Sequence, residues 1–167
     1  MKKNLGKIIV GVVVIVICAL LVGFSSIDES IQYIRTEGVS SEEEGEYIIN
    51  SLDELNNYYN TNKDKYDLEY REKKYNDQTI GFLNAIEKYD EEYFETKSLV
   101  FIVLYETSSD IRHKVNDYEI IDRVLEVNIE TITPTFVNCE LEGWHIIIEI
   151  DKVDIDDVVV NRKKKDV

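Results

Sequence analysis

A run of 17 residues without a charged or strongly polar side chain, IIVGVVVIVICALLVGF, occupies residues 8–24 and decides on which side of a membrane the rest of the chain folds. As a helix it is about 26 Å long at 1.5 Å per residue, close to the apolar thickness of a bilayer. Lys7 can carry its ammonium to the interface, which adds Leu5 and Gly6 to the apolar length. Lys2, Lys3 and Lys7 precede the run, whereas Arg35 follows it among Asp28, Glu29 and Glu37. The positive-inside rule therefore predicts a single-pass anchor from Ile8 to Phe24, with the N-terminus cytoplasmic and the remainder extracytoplasmic.

A cleaved secretory signal shares this pattern and predicts a secreted domain instead. The apolar run is long for a signal core, and Gly23 and Ser25 make the best small pair for a cleavage site. Acylation at Cys18 is a third reading, but Ile17 before it is not small and residues 19–24 stay apolar. All three place the remainder outside the cytoplasm. Ala19 and Gly23, four apart, have the spacing that lets two such helices approach closely.

The 143 residues after Phe24 are enough for one domain with a real core. They hold all 34 acidic residues against 16 of the 19 Lys and Arg, a formal charge of −18. Such a surface repels nucleic acid and anionic headgroups, so no nucleic-acid partner is expected. Cys139 is the one cysteine beyond the apolar run, so no disulfide within the exported domain is available and stability must come from packing. A small buried thiol is the expected role for Cys139, with pairing between chains as the alternative. The abundance of Ile, Asn, Lys, Glu and Tyr suits an AT-rich bacterial genome.

Residues 26–50 read as an acidic linker, carrying Glu42, Glu43, Glu44 and Glu46, with a short strand where Ile31, Tyr33 and Arg35 alternate with Gln32, Ile34 and Thr36. Ser51 opens S-L-D-E, a capping box, and Leu52, Leu55 and Tyr59 share one face of a helix reaching Thr61. Tyr66 and Tyr70, and Glu69 and Lys73, stand four apart and weakly support an irregular helix over residues 62–77. Phe82, Ile86, Tyr89 and Tyr93 predict a further helix opening near Asp77 or Thr79, broken by Asp90, Glu91 and Glu92.

The pattern then changes period. LVFIVLY, residues 99–105, is apolar at every position and predicts a central strand buried on both faces. Residues 111–121 form a more polar strand with Ile111, His113 and Val115 on one face. Val124 to Ile132 is half-buried, with Leu125, Val127 and Ile129 inward. Asp122 and Arg123 make the turn between those two, and Pro134 opens a loop. In residues 144–151, Trp144, Ile146, Ile148 and Ile150 share a face opposite His145, Ile147 and Glu149. A short edge strand is expected at residues 158–160, then a basic tail, residues 162–167, in solvent. The expected fold class is α+β: after the transmembrane helix and linker, residues 51–161 pack short helices on an antiparallel sheet or small β-sandwich.

S-L-D-E-L, Y-D-E-E-Y-F, LVFIVLY, a hairpin, a proline loop and WHIIIEIDK, in that order, resemble the C-terminal domain of the PrcB-like bacterial proteins over roughly residues 50–159. The resemblance implies a small β-rich extracytoplasmic domain that stabilises or binds a protease. Where that family carries a glycine-rich turn after the apolar strand, this chain has Thr107, Ser108, Ser109 and Asp110. A lipoprotein-like family of anaerobic gut bacteria fits the same layout.

Catalytic patterns are sparse. His113 and His145, with Cys139, Glu140 and Glu142, lack the paired spacing of a zinc site. Asp151, Asp154, Asp156 and Asp157 lack the glycine and terminal glutamate of a calcium loop and read as a solvated turn. Ser108 and Ser109 sit in no nucleophile elbow, and four glycines after Phe24 make no phosphate loop. Trp144 shares its face with three isoleucines and is expected in the core. No catalytic, metal or cofactor residue is therefore assigned. The expectation is a membrane-anchored domain that binds a protein partner or serves as an accessory subunit. The alternatives are a hydrolase or metal-dependent enzyme using His113 and His145, and a sensor of external cations.

Overall fold

The computed structural model describes residues 30–70 and 79–167. The anchor expected from Ile8 to Phe24, its cleavage and lipidation alternatives and the Ala19–Gly23 spacing lie outside the described residues. Among the described residues, no helix is long and apolar enough to cross a membrane.

Among the described residues, seven strands and three short helices form three layers. Strands β1 (Ile31–Thr36), β6 (Glu142–Asp151), β3 (Lys97–Glu106) and β2 (Gly45–Ile49) make an antiparallel sheet in the order β1-β6-β3-β2. Strands β4 (Arg112–Ile121), β5 (Val124–Thr133) and β7 (Asp157–Asp166) make a second sheet, order β4-β5-β7. Helices α1 (Leu52–Asn62), α2 (Phe82–Ile86) and α3 (Tyr93–Thr96) cover the other face of the first sheet.

This layering explains why LVFIVLY is apolar throughout. Val100, Ile102 and Leu104 pair in register with Ile148, Ile146 and Trp144 and pack against Leu125, Val127 and Ile129 of the second sheet. Leu99, Phe101 and Val103 point the other way, toward Leu55, Tyr58, Phe82 and Phe94 of the helices. A strand between two layers has no solvent face, so alternation disappears. Each such Val, Leu, Ile or Phe contributes about 1.5–3 kcal/mol by leaving water. That burial, rather than intrinsic helicity, must hold α2 and α3, because isolated helices below about 12 residues are marginal.

Ser51 caps α1 by accepting from the amide of Glu54 at 3.1 Å, and the Glu54 carboxylate accepts from the amide of Asn50 at 2.6 Å. The stripe of Phe82, Ile86, Tyr89 and Tyr93 is not one helix. It is split between α2 and α3 by a turn over residues 87–92, although Phe82, Ile86 and Tyr89 are buried as their spacing implied. No helix forms over residues 63–70, where a turn places Tyr66 and Leu68 in the core directly after α1, and residues 71–77 of the expected helix lie outside the described residues. Asp122 and Arg123 have φ of 49° and 68°, the left-handed pair of a two-residue hairpin turn.

Three further expectations need correction. From residue 30 on, the expected acidic linker belongs to the folded domain: the short strand expected at Ile31–Thr36 forms as β1 and pairs along its whole length with β6, and β2 pairs with β3. The edge strand at 158–160 extends to Asp166 and takes in the basic tail, because Arg162 turns inward to carboxylates. The sheets are not wholly antiparallel, since β7 runs parallel to β5 from Val124↔Asp157 to Thr133↔Asp166. The crossover between those parallel strands is β6 of the other sheet, so no crossover helix is needed.

Gly143, at the start of β6, allows the close approach of the loop after β1. A Cβ there would meet the Thr36 carbonyl oxygen at 2.7 Å and the Val39 side chain closer still.

Candidate functional site

The two histidines lie on opposite faces of the first sheet. His145 points to the helices and is fully buried, with Nδ1 2.9 Å from Thr36 Oγ1 and Nε2 2.8 Å from the Tyr58 hydroxyl. Tyr66 and Phe82 stand edge-on to it, each 5.4 Å between ring centres. Burial pushes its pKa down to about 3, so the ring is neutral. Both nitrogens are occupied by neighbours that tie β1, α1 and β6 together, which leaves neither for a metal or a substrate.

His113 lies between the sheets, edge-on to Trp144 at 5.5 Å. Its Nδ1 is 3.3 Å from Thr131 Oγ1, and its Nε2 is 3.3 Å from Glu106 Oε1 without the alignment of a hydrogen bond. Burial first, then Arg162 and Arg112, lowers its pKa to about 3, so this contact is not an ion pair. Burial raises the Glu106 carboxyl above its ordinary value while the Arg162 guanidinium, bonded to it, opposes the shift. Arg162 also reaches Glu44 at 3.1 Å. A carboxyl beside a neutral imidazole can pass a proton, yet both side chains are sealed between sheets. The arrangement fastens β7 and the loop before β2 to the end of β3.

With His145 among the helices and His113 beside Trp144, the histidine pair required by the enzyme reading does not converge. Trp144 is in the core as expected. Asp154 and Asp156 converge on Arg123, at 4.0 and 2.6 Å. Among the described residues no group of three or more His, Cys, Asp or Glu side chains is arranged to hold a metal. A cleft of about 620 Å³ at this end is lined by Asn50, Lys152, Val153 and Ile155 together with Arg123 and Asp154. Lys152 Nζ there donates to the carbonyls of Asn50 at 3.2 Å and Phe94 at 2.5 Å, which closes the end of the helical layer.

The feature that stands out is the loop between β5 and β6, residues 134–141. Phe136 is 91% exposed and Leu141 66%, with Val137 beside them at 45%. Apolar loop residues of this kind are ordinarily folded inward, but this loop is pinned outward. The Asn138 side-chain oxygen accepts from Ser108 Oγ at 2.8 Å and from the Ser109 amide at 3.1 Å. Its side-chain nitrogen donates to Ser109 Oγ at 2.7 Å, and its own amide donates to Asp110 at 2.8 Å. At the loop's start, the Thr135 amide donates to the Val167 carbonyl at 2.8 Å.

Ser108 and Ser109 are thus anchors for Asn138, with Ser109 Oγ also donating to Glu140 at 3.0 Å. Cys139, expected as a buried thiol, is exposed on the same loop. Register places Arg112, Ile132 and Lys165 in one row across the second sheet, and Lys114, Glu130 and Lys163 in the next. Those rows put four cations around Glu130 on the outer face, at the end where the loop emerges. Sequence reasoning passed over Phe136, Val137, Asn138 and Leu141 because no motif marks them. The available signal was a proline-opened loop with three large apolar residues between two well-patterned strands.

Comparison with protein-family models, with curated proteins and with solved structures finds no match to this chain.

Proposed function

We propose that this chain is a membrane-anchored extracytoplasmic domain that acts by binding a protein partner through the 134–141 loop. The observation that carries the reading is Phe136, almost wholly in solvent on a loop that Asn138 holds in place. A large aromatic on a pre-ordered loop supplies contact area with little ordering cost, the usual character of a binding anchor. The neighbouring Arg112, Lys114, Lys163 and Lys165 favour a partner that rims an apolar pocket with carboxylates.

The fold is consistent with an anchor at the N-terminus. β1 follows Ser30 and runs toward the end of the sheet where β6 begins, since Thr36 pairs with Gly143. The 134–141 loop precedes β6 and so lies at the end away from Ser30. An anchor in residues 8–24 would hold the opposite end to the membrane and present Phe136 outward. The PrcB-like resemblance, which implies contact with a protease, agrees with this role.

Fractionation followed by co-purification tests the reading. The chain should sediment with membranes, resist alkaline extraction, and retain a partner that Phe136→Ser and Leu141→Ser variants lose while remaining folded. A soluble chain, or a partner retained equally by the variants, would contradict it.

A further inference from the structure

The end of the domain opposite the 134–141 loop carries its own exposed apolar residues. Ile120 is 41% exposed, Ile121 44% and Val153 44%. Two contacts define where they lie relative to the start of β1. The Tyr33 hydroxyl accepts from the Val115 amide at 2.8 Å, and Ser30 Oγ lies 3.4 Å from the Tyr118 hydroxyl. As β1 is followed back from Tyr33 to Ser30, β4 is followed forward from Val115 to Tyr118. β4 therefore continues past Ser30 in the direction from which the chain arrives. The hairpin tip at Asp122 and Arg123 lies about 13 Å beyond Tyr118 at 3.3 Å per residue.

The tip is firmly built. Its left-handed pair closes the turn, the Arg123 carbonyl accepts from the Asp156 amide at 2.8 Å, and Arg123 and Asp156 form an ion pair at 2.6 Å. That bonding brings the loop carrying Val153 to the same end. Between Phe24 and Ser30 there are six residue steps, at most about 20–22 Å when fully extended. A chain anchored through residues 8–24 cannot hold Ser30 farther than that from the bilayer, and the hairpin reaches back over most of that distance.

We infer that the β4–β5 hairpin tip, through Ile120 and Ile121, rests on the surface of the bilayer that holds the chain's own N-terminal segment. The inference depends on the anchored reading. The contact is apolar rather than electrostatic. At this end Glu119, Asp122, Asp154 and Asp156 outnumber Arg123 and Lys152, so anionic headgroups oppose it and zwitterionic ones suit it. It orients the domain upright, with Phe136 at the far end.

The test uses the full chain in phosphatidylcholine vesicles, with Cys18→Ala and Cys139→Ser removing the native thiols. Single cysteines at Ile121, Phe136 and Asn161 carry an environment-sensitive fluorophore, and the vesicles contain lipid with a quencher near the headgroup. Quenching should be severalfold stronger at 121 than at 136 or 161. It should weaken when phosphatidylglycerol replaces part of the phosphatidylcholine. An Ile120→Asn change, in a chain whose circular dichroism is unaltered, should reduce quenching at 121. Equal quenching at 121 and 136 on vesicles that retain the chain would overturn the inference and leave the anchor standing. A chain washed off the vesicles by alkaline carbonate would overturn the anchored reading, and the inference with it.

Discussion

The Tyr58 hydroxyl lies 2.8 Å from Nε2 of His145, joining α1 to β6 through the centre of the helical core. The other nitrogen of the ring reaches Thr36 on β1. One neutral imidazole thus links a helix and two strands that are far apart in the chain. Burial raises the Tyr58 pKa well above its ordinary value, so the phenol keeps its proton.

Tyr58→Phe removes one partner and leaves a buried ring nitrogen without its hydrogen bond. The expected cost is about 1–3 kcal/mol, the penalty for an orphaned buried polar group. Urea unfolding should show a lower midpoint at an unchanged slope. An unchanged midpoint would mean that the bond contributes nothing net.

Stability should fall as the medium is acidified. His145 and His113 titrate at about 3 in the folded chain, against the ordinary 6.5 when unfolded. Between those values the unfolded chain binds more protons, so the contribution is complete above about pH 6.5 and is lost toward pH 3. Each histidine contributes a slope of up to about 1.4 kcal/mol per pH unit within the window. Glu106 and Glu46, whose carboxyls are raised by burial, act in the opposite direction above their ordinary range. Two imidazoles with large shifts outweigh them across pH 6.5 to 5. Urea midpoints that stay level from pH 7.5 to 5 would disagree.

Arg162→Met strips Glu106 of its bonded cation while the carboxyl stays between the sheets. A loss of up to about 3 kcal/mol is expected, because a buried charge without its partner is costly. The double change Arg162→Met with Glu106→Gln should recover most of it, which differential calorimetry would show as partial return of the melting temperature. No recovery would point to packing by the arginine stem instead.

How much of this was readable in the sequence differs by element. β5 was legible because one face meets the core and the other meets water, so Leu125, Val127 and Ile129 alternate with Glu126, Asn128 and Glu130. β3 was legible because uninterrupted apolar character over one strand length leaves little else to be. β7 was legible only at residues 158–160: Arg162, Lys163 and Lys164 look solvated, and only the fold brings Glu44 and Glu106 to Arg162. β1 was legible at Ile31–Thr36 as a short alternating strand, whereas β2 was lost among glutamates, because it is a short edge strand with little apolar sequence of its own. The histidines carried the enzyme alternative until topology put them on opposite faces, a relationship that spacing along a chain does not encode. The apolar loop was in plain view, but its outward fixation depends on Asn138 meeting Ser108 and Asp110 about thirty residues away.

The most direct measurement is photo-crosslinking in intact cells with a benzophenone amino acid placed at position 136, compared with the same probe at the exposed position 116. An adduct with a specific extracytoplasmic protein is expected at 136 and none at 116. No adduct at 136, or the same adducts at both positions, would contradict it.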